Sequence, residues 1–123
     1  MDADFRQKME ENGADVETTI NRFMGNEAMY LKFLGKFLDD QNYKMLGENL
    51  EAKNYEEAFK CAHTLKGVTA NLGLDPIQKA VSELVEEIRG KEAGEINEAR
   101  VDEEWQNVKS YYEKFFEIIS ANR

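Results

Sequence analysis

The sequence predicts an all-α protein: an antiparallel up-and-down four-helix bundle with one or two short helices ahead of it. Three observations predict this. Apolar residues recur at spacings of three and four along most of the chain. Only one proline and eight glycines interrupt the 123 residues, a scarcity that favours long helices. Strand patterns are nearly absent. Hydrophobic residues make up 41% of the chain, enough for one core in a single domain spanning 1–123.

The elements follow in order. Residues 3–11 read as a short first helix ended by Asn12-Gly13. Asp15 caps a second short helix that runs through Phe23 and stops at Gly25. Asn26 caps the next segment, where Ala28, Leu31, Leu34, Phe37 and Leu38 recur at helical spacing. The polar run 39–42 bends this segment, and the pattern resumes with Tyr43, Leu46 and Leu50. Asn54 followed by Glu57 has capping-box spacing and opens a helix that runs to about Leu72 and stops at Gly73. Asp75-Pro76 starts another, with the cap at Asp75 and proline at the first helical position. Ile77, Ala80, Val81, Leu84, Val85 and Ile88 give it a continuous apolar stripe. Gly90 to Gly94 reads as a loop. A last helix carries Ile96, Ala99, Trp105, Val108, Tyr112, Phe115 and Ile119. Long amphipathic helices joined by short turns pack as an antiparallel bundle.

Charge narrows the function. The net charge of −9 opposes nucleic-acid binding and docking on anionic membranes, because both surfaces present phosphates. The single cysteine, Cys61, allows no intramolecular disulfide, which fits a reducing compartment. The opening MDADFRQKMEENG is charged, with no apolar core of the secretory type. No apolar run approaches the roughly 18 residues needed to span a bilayer. The expectation is a cytoplasmic, monomeric, free-standing module.

The chain holds one histidine, His63, on the helix that Asn54 opens. At about 100° per residue, Ala58, Ala62, Leu65, Thr69 and Leu72 cluster as the core face, with Phe59 at its edge. His63 lies well round from that face and is expected to be exposed. Gly67 and Ala70, both small, lie one and two turns beyond it. A glycine inside a helix costs roughly 1 kcal/mol relative to alanine, so Gly67 asks for a reason. Clearance over the imidazole is one. Lys60 and Lys66 stand three residues to either side of His63, within one turn, and attract an anion arriving at the ring. Lys60 also reads as an ordinary lysine on a solvated face. An imidazole with cations beside it and open space above it suits accepting a phosphoryl group.

These residues carry a family resemblance. HTLKGVTANLG at 63–73 resembles the signature of histidine-containing phosphotransfer (HPt) domains, through His63, Leu65, Lys66, Gly67, Asn71, Leu72 and Gly73. The segment DVETTINRFMGNEAMYLKFLGKFL at 15–38 resembles the lead-in of stand-alone bacterial members. The resemblance implies a four-helix bundle with no kinase or hydrolase activity of its own. It implies that His63 accepts a phosphoryl group through Nε2 from a receiver-domain aspartate and passes it to another receiver. Lys66 would lie near the phosphoryl oxygens, and Gly67 would keep the approach open. The partners implied are receiver domains of response regulators or hybrid kinases. Magnesium would belong to the receiver, leaving this chain with no cofactor. Some members orient the imidazole through Nδ1 with a polar side chain on the following helix. Level with His63 across the turn lie Ser82, Val85 and Glu86. Gln78 is too near the turn and Val85 has no polar group, so Glu86 or Ser82 is the candidate orienter, or the chain has none.

Other classes fit poorly. A hydrolase triad needs a nucleophile and an orienter around the histidine. Zinc needs more soft ligands, and a di-iron bundle needs Glu-x-x-His twice. The alternative that remains is a helical adaptor that binds a receiver or kinase without being phosphorylated. Apolar residues of 27–38 beyond those the core needs, with Gly67 and Ala70, would form its surface. Asn71-Leu72-Gly73 reads as a helix stop and Cys61 as a packed small residue.

Overall fold

The computed structural model describes residues 1–123. It is all-helical, with no strand: α1 (Ala3–Glu11), α2 (Val16–Arg22), α3 (Glu27–Leu38), α4 (Asn42–Glu51), α5 (Tyr55–Asn71), α6 (Asp75–Ile88) and α7 (Glu98–Ala121), plus a single 3₁₀ turn at Ala93–Glu95. Helix α5 packs between α4 and α6, α6 packs on α7, and α3 also lies against α7. Helices α4 and α7 meet through aromatic rings. Tyr43 stacks on Tyr112 with centroids 3.6 Å apart, and Trp105 lies 5.3 Å from Tyr43. Gly47 makes room for this, since a Cβ there would come within 2.9 Å of the Trp105 ring.

The helix starts follow from capping chemistry, because the first N–H groups of a helix have no partner within it. Asp15, Asn26, Asn54 and Asn97 each accept a backbone N–H of the first turn, at Thr18, Met29, Glu57 and Arg100. Asp2 does the same for α1. Four expectations are corrected in detail. The segment 27–50 is two helices rather than one bent helix, because the Asp40 carboxylate accepts the backbone and side-chain N–H groups of Asn42 and starts α4 afresh. The capping box of α5 is only half made: Asn54 caps, but the Glu57 carboxylate turns to Lys60. The N-cap of α6 is Leu74 rather than Asp75, for Leu74 is fully buried and takes that position by packing. Ile96 precedes α7 instead of belonging to it. It stands just before the cap while Val101 stands four residues inside the helix. Both are buried, the placement of a hydrophobic staple.

The core follows the predicted stripes. Ala58, Ala62, Leu65, Thr69 and Leu72 of α5 are buried, as are Ile77, Ala80, Val81, Leu84, Val85 and Ile88 of α6. Cys61 is packed inside with its Sγ 4.0 Å from the Asn49 amide. Ala99 is exposed.

The N-terminal helices grip the α5–α6 turn. The Asp15 N–H donates to the Gly73 carbonyl at 2.9 Å, and the Thr19 hydroxyl donates back to the Asp15 carbonyl at 2.6 Å. Arg22 donates to the Thr19 hydroxyl at 3.2 Å and to the Ala70 carbonyl at 3.1 Å, satisfying an end carbonyl of α5. Gly13 sits so close that a Cβ on it would lie 2.7 Å from the Pro76 ring. At Gly73 the constraint is double. Its φ is +68°, and a Cβ would overlap the Thr19 hydroxyl and lie 2.7 Å from the Asp15 carbonyl. Gly73→Ala is expected to destabilise the fold by about 2–3 kcal/mol, through left-handed strain and overpacking, as read by urea denaturation.

One buried carboxylate is poorly compensated. Glu104 of α7 is 4% exposed, pairs with Arg100 at 3.3 Å through one oxygen, and leaves the other oxygen without a partner. Burial pushes its carboxyl above the ordinary 4.5, nearby Glu87 adds to this, and Arg100 offsets part. The folded state therefore holds the Glu104 proton more tightly than the unfolded chain does. Stability from this group rises as pH falls through the raised folded value toward 4.5. Glu104→Gln, which mimics the neutral form, is expected to be more stable than wild type at pH 7. That advantage should shrink in thermal melts as the pH is lowered toward 4.5.

Candidate functional site

Helix α5 turns its buried face to α4 and α6 and leaves the opposite face to solvent. His63 lies on that outer face and is exposed, as the wheel predicts. Gly67 is also exposed, and Lys66 and Ala70 are half-buried beside it. The glycine has no packing role: a Cβ built on Gly67 meets no atom within 4 Å. This contrasts with Gly47 and Gly73, where neighbours fill the space, while Gly35 inside α3 is open like Gly67 but has no histidine beside it. A helix that keeps a glycine in open space forgoes roughly 1 kcal/mol with no packing in return.

The charges are arranged in two tiers. Lys60 pairs with Glu57 at 3.2 Å, and that carboxylate holds the ammonium above its ordinary value by hydrogen bond and charge. Lys66 takes part in none of the ion pairs of the molecule. Of the two lysines flanking His63, Lys66 is the one left free to meet an incoming anion.

The side chains expected to orient the imidazole are engaged elsewhere. Ser82 donates to the Gln78 carbonyl at 2.7 Å and accepts from the Gln78 amide at 3.0 Å. Glu86 accepts from Arg89 at 3.1 Å. Neither bonds His63. Phe59 does approach it: the phenyl and imidazole rings are 5.9 Å apart and 12° from parallel. The Arg89 guanidinium lies over the same phenyl, 5.1 Å from its centroid.

Sequence reasoning missed Phe59, Arg89 and Arg22 here. Phe59 was legible, four residues before His63 on one helix face. Arg89 and Arg22 reach α5 from other helices, and no local spacing announces them. Beside the C-terminal end of α5, Val68, Asn71 and Leu72 meet Phe23, Phe33 and neighbours of α2 and α3 around a groove of about 440 Å³. Met29 and Phe33 remain exposed on α3, and Arg22 and Lys36 stand at the groove.

No three histidine, cysteine or carboxylate groups cluster as metal ligands, and no helix is long and apolar enough to cross a membrane. An outward histidine on a packed helix, with a lysine and an unfilled glycine one turn on, leaves the imidazole open to an incoming anionic group. A family model, the Hpt domain, matches residues 3–111, and the chain belongs to that family. Hpt domains are phosphocarrier modules of two-component signalling that interact with receiver domains and lack kinase activity of their own. Searches among curated proteins and solved structures return no match.

Because the space above Gly67 is empty, Gly67→Ala should fold at least as well as wild type. A gain of about 0.5–1 kcal/mol in a urea melt is the expected result.

Proposed function

We propose that the chain is a histidine phosphotransfer protein of a phosphorelay, in which His63 takes a phosphoryl group from one receiver aspartate and hands it to another. The observation that carries this reading is the meeting of an exposed His63 with an ion-pair-free Lys66 and unfilled space at Gly67, all within one turn. Packing gives no reason for that glycine. Access for a second protein's aspartyl phosphate does.

In the transfer, the Nε2 lone pair attacks phosphorus while Nδ1 keeps its proton. The N–P bond forms as the P–O bond to the aspartate breaks, and the aspartate leaves as a carboxylate. The reverse step loads a second receiver. Such transfer needs alignment and charge stabilisation more than covalent help from the carrier. Lys66, free of a carboxylate partner, faces the developing charge on the phosphoryl oxygens. Lys60, held by Glu57, contributes to the local positive field. Magnesium belongs to the receiver, and this chain contributes no metal ligand. Ala70, small and half-buried, lets the receiver surface come close to α5.

The groove at Phe23, Phe33, Val68 and Leu72 supports docking of the receiver beside the transfer site. Arg22 and Lys36 outnumber Asp40 among its charged residues, in a protein of net charge −9. The finer architecture proposed is an up-and-down antiparallel bundle of α4, α5, α6 and α7. It is supported by short connections and by the aromatic contacts that join α4 to α7. The module acts as a cytoplasmic monomer.

The adaptor reading uses the same groove without chemistry at His63. Incubation with a phosphorylated receiver and magnesium, beside His63→Gln, separates the two. The expected result is a mass increase of about 80 Da, the mass of one phosphoryl group, on the wild type alone, lost in acid and stable in base as a phosphoramidate is. Tight receiver binding with no label from any of several donors would establish the adaptor instead. In the same assay Gly67→Ala should slow transfer although its fold is intact.

A further inference from the structure

We propose that the imidazole of His63 is oriented by stacking on Phe59, and that no hydrogen-bonding side chain of α6 performs this task. The inference rests on His63 being the phosphoacceptor, the function proposed above.

Of the α6 residues counted level with His63 about the turn, Val85 is buried and has no polar group. The Ser82 hydroxyl is committed on both sides to Gln78, as donor to its carbonyl and acceptor from its amide. One oxygen of the Glu86 carboxylate pairs with Arg89, and neither oxygen bonds His63. An imidazole on an exposed helical face, with only small residues above it, would otherwise turn freely about its side-chain torsions. A ring that samples several directions aligns its Nε2 for attack only part of the time.

Phe59 narrows that range. It sits four residues before His63, so both side chains leave the same helical face one turn apart. Helical side chains lean toward the N-terminus, which brings His63 down onto the turn that carries Phe59. The two rings lie 5.9 Å apart at 12°, within the offset-stacked range for aromatic pairs. Phe59 is itself held. It is partly buried against the core, and the Arg89 guanidinium lies 5.1 Å from its centroid, anchored by Glu86 at 3.1 Å. The chain of contacts runs Glu86, Arg89, Phe59, His63. Glu86 thus acts on the imidazole at a distance, by fixing the cation that fixes the phenyl. Phe59 is a positioning residue, touching the reacting ring without touching the phosphoryl group.

The test combines a spectroscopic and a kinetic reading on the full chain. In proton NMR of the wild type, cross-relaxation between the Phe59 and His63 rings is expected, with a ring-current displacement of the His63 carbon-bound protons. Phe59→Leu should abolish the displacement, and Phe59→Tyr should keep it. With saturating phosphorylated receiver, Phe59→Leu should slow phosphoryl transfer by roughly three- to tenfold, about what the loss of one aromatic pair corresponds to. Receiver affinity should stay unchanged, and Phe59→Tyr should restore the rate. Helix content by circular dichroism checks that each variant is folded. The wild-type cross-relaxation needs no variant at all. Absent cross-relaxation, or a folded Phe59→Leu that transfers at the wild-type rate, overturns the inference. So does a slowing by Ser82→Ala that Phe59→Leu does not share, because a polar orienter then holds the ring. If the wild type accepts no phosphoryl group from any receiver, the carrier function fails, and the ring spectra still decide whether Phe59 orients His63.

Discussion

The constraint on which the rest of the molecule depends is the burial of one face of α5 between α4 and α6. Ala58, Ala62, Leu65 and Thr69 on that face have no exposed surface. Two of the four are alanines, so the neighbouring backbones come close and α5 has little freedom to roll. Thr69 returns its hydroxyl to the Leu65 carbonyl at 2.9 Å and so brings no unpaired polar group inside. Once this face is fixed, helical geometry aims the opposite one. His63, Gly67 and Lys66 then project outward, and the Phe59 ring beside His63 refines a direction the helix has already set. The site inherits its position from packing on the other side of the same helix.

Electrostatics on the outer face follow a different logic. The protein is acidic, yet four of its sixteen cations border α5: Lys60 and Lys66 on the helix, Arg22 at its end and Arg89 across from its start. Most are tethered locally, Lys60 by Glu57, Arg89 by Glu86 and Arg22 by the Thr19 hydroxyl and the Ala70 carbonyl. Exposed pairs of this kind add little stability, typically below about 1 kcal/mol. Their effect is to hold long, mobile side chains in one place. Lys66, without such a tether, keeps its ammonium available.

Much of this was legible in the sequence because it is local. Asp15, Asn26 and Asn54 mark helix starts through their own side chains, and the stripes of α5 and α6 read directly as buried faces. The exposure of His63 follows from its angle to Ala58, Ala62 and Leu65. What escaped was decided by partners distant in the chain or by competition between neighbours. The break at Asp40 depends on a carboxylate choosing the next N–H over solvent. Leu74 displaces Asp75 as the cap of α6 because the core takes it. Glu57 abandons its capping role for Lys60. Ser82 and Glu86 were chosen by counting from the turn, and each meets a partner on its own helix or just beyond it, Gln78 or Arg89. The sequence already set Gly67, inside a helix, apart from Gly73 at its stop, and the packing added what each one faces: open space at Gly67 and Thr19 at Gly73.

The grip of α2 on the α5–α6 turn has a consequence for how the hairpin deforms. Gly73, Asp15, Thr19 and Arg22 clamp its closed end, and Gly13 against Pro76 reinforces the clamp. At the other end, α6 gives way to the turn at Gly90 beside the start of α5, and there the Arg89 guanidinium over the Phe59 ring joins the two through side chains. The helix pair is built like tongs riveted at the bend. Phe59 and Arg89 lie toward the tips, so a partner pressing on the outer face of α5 meets a helix braced through its backbone near Ala70 and through side chains near Phe59.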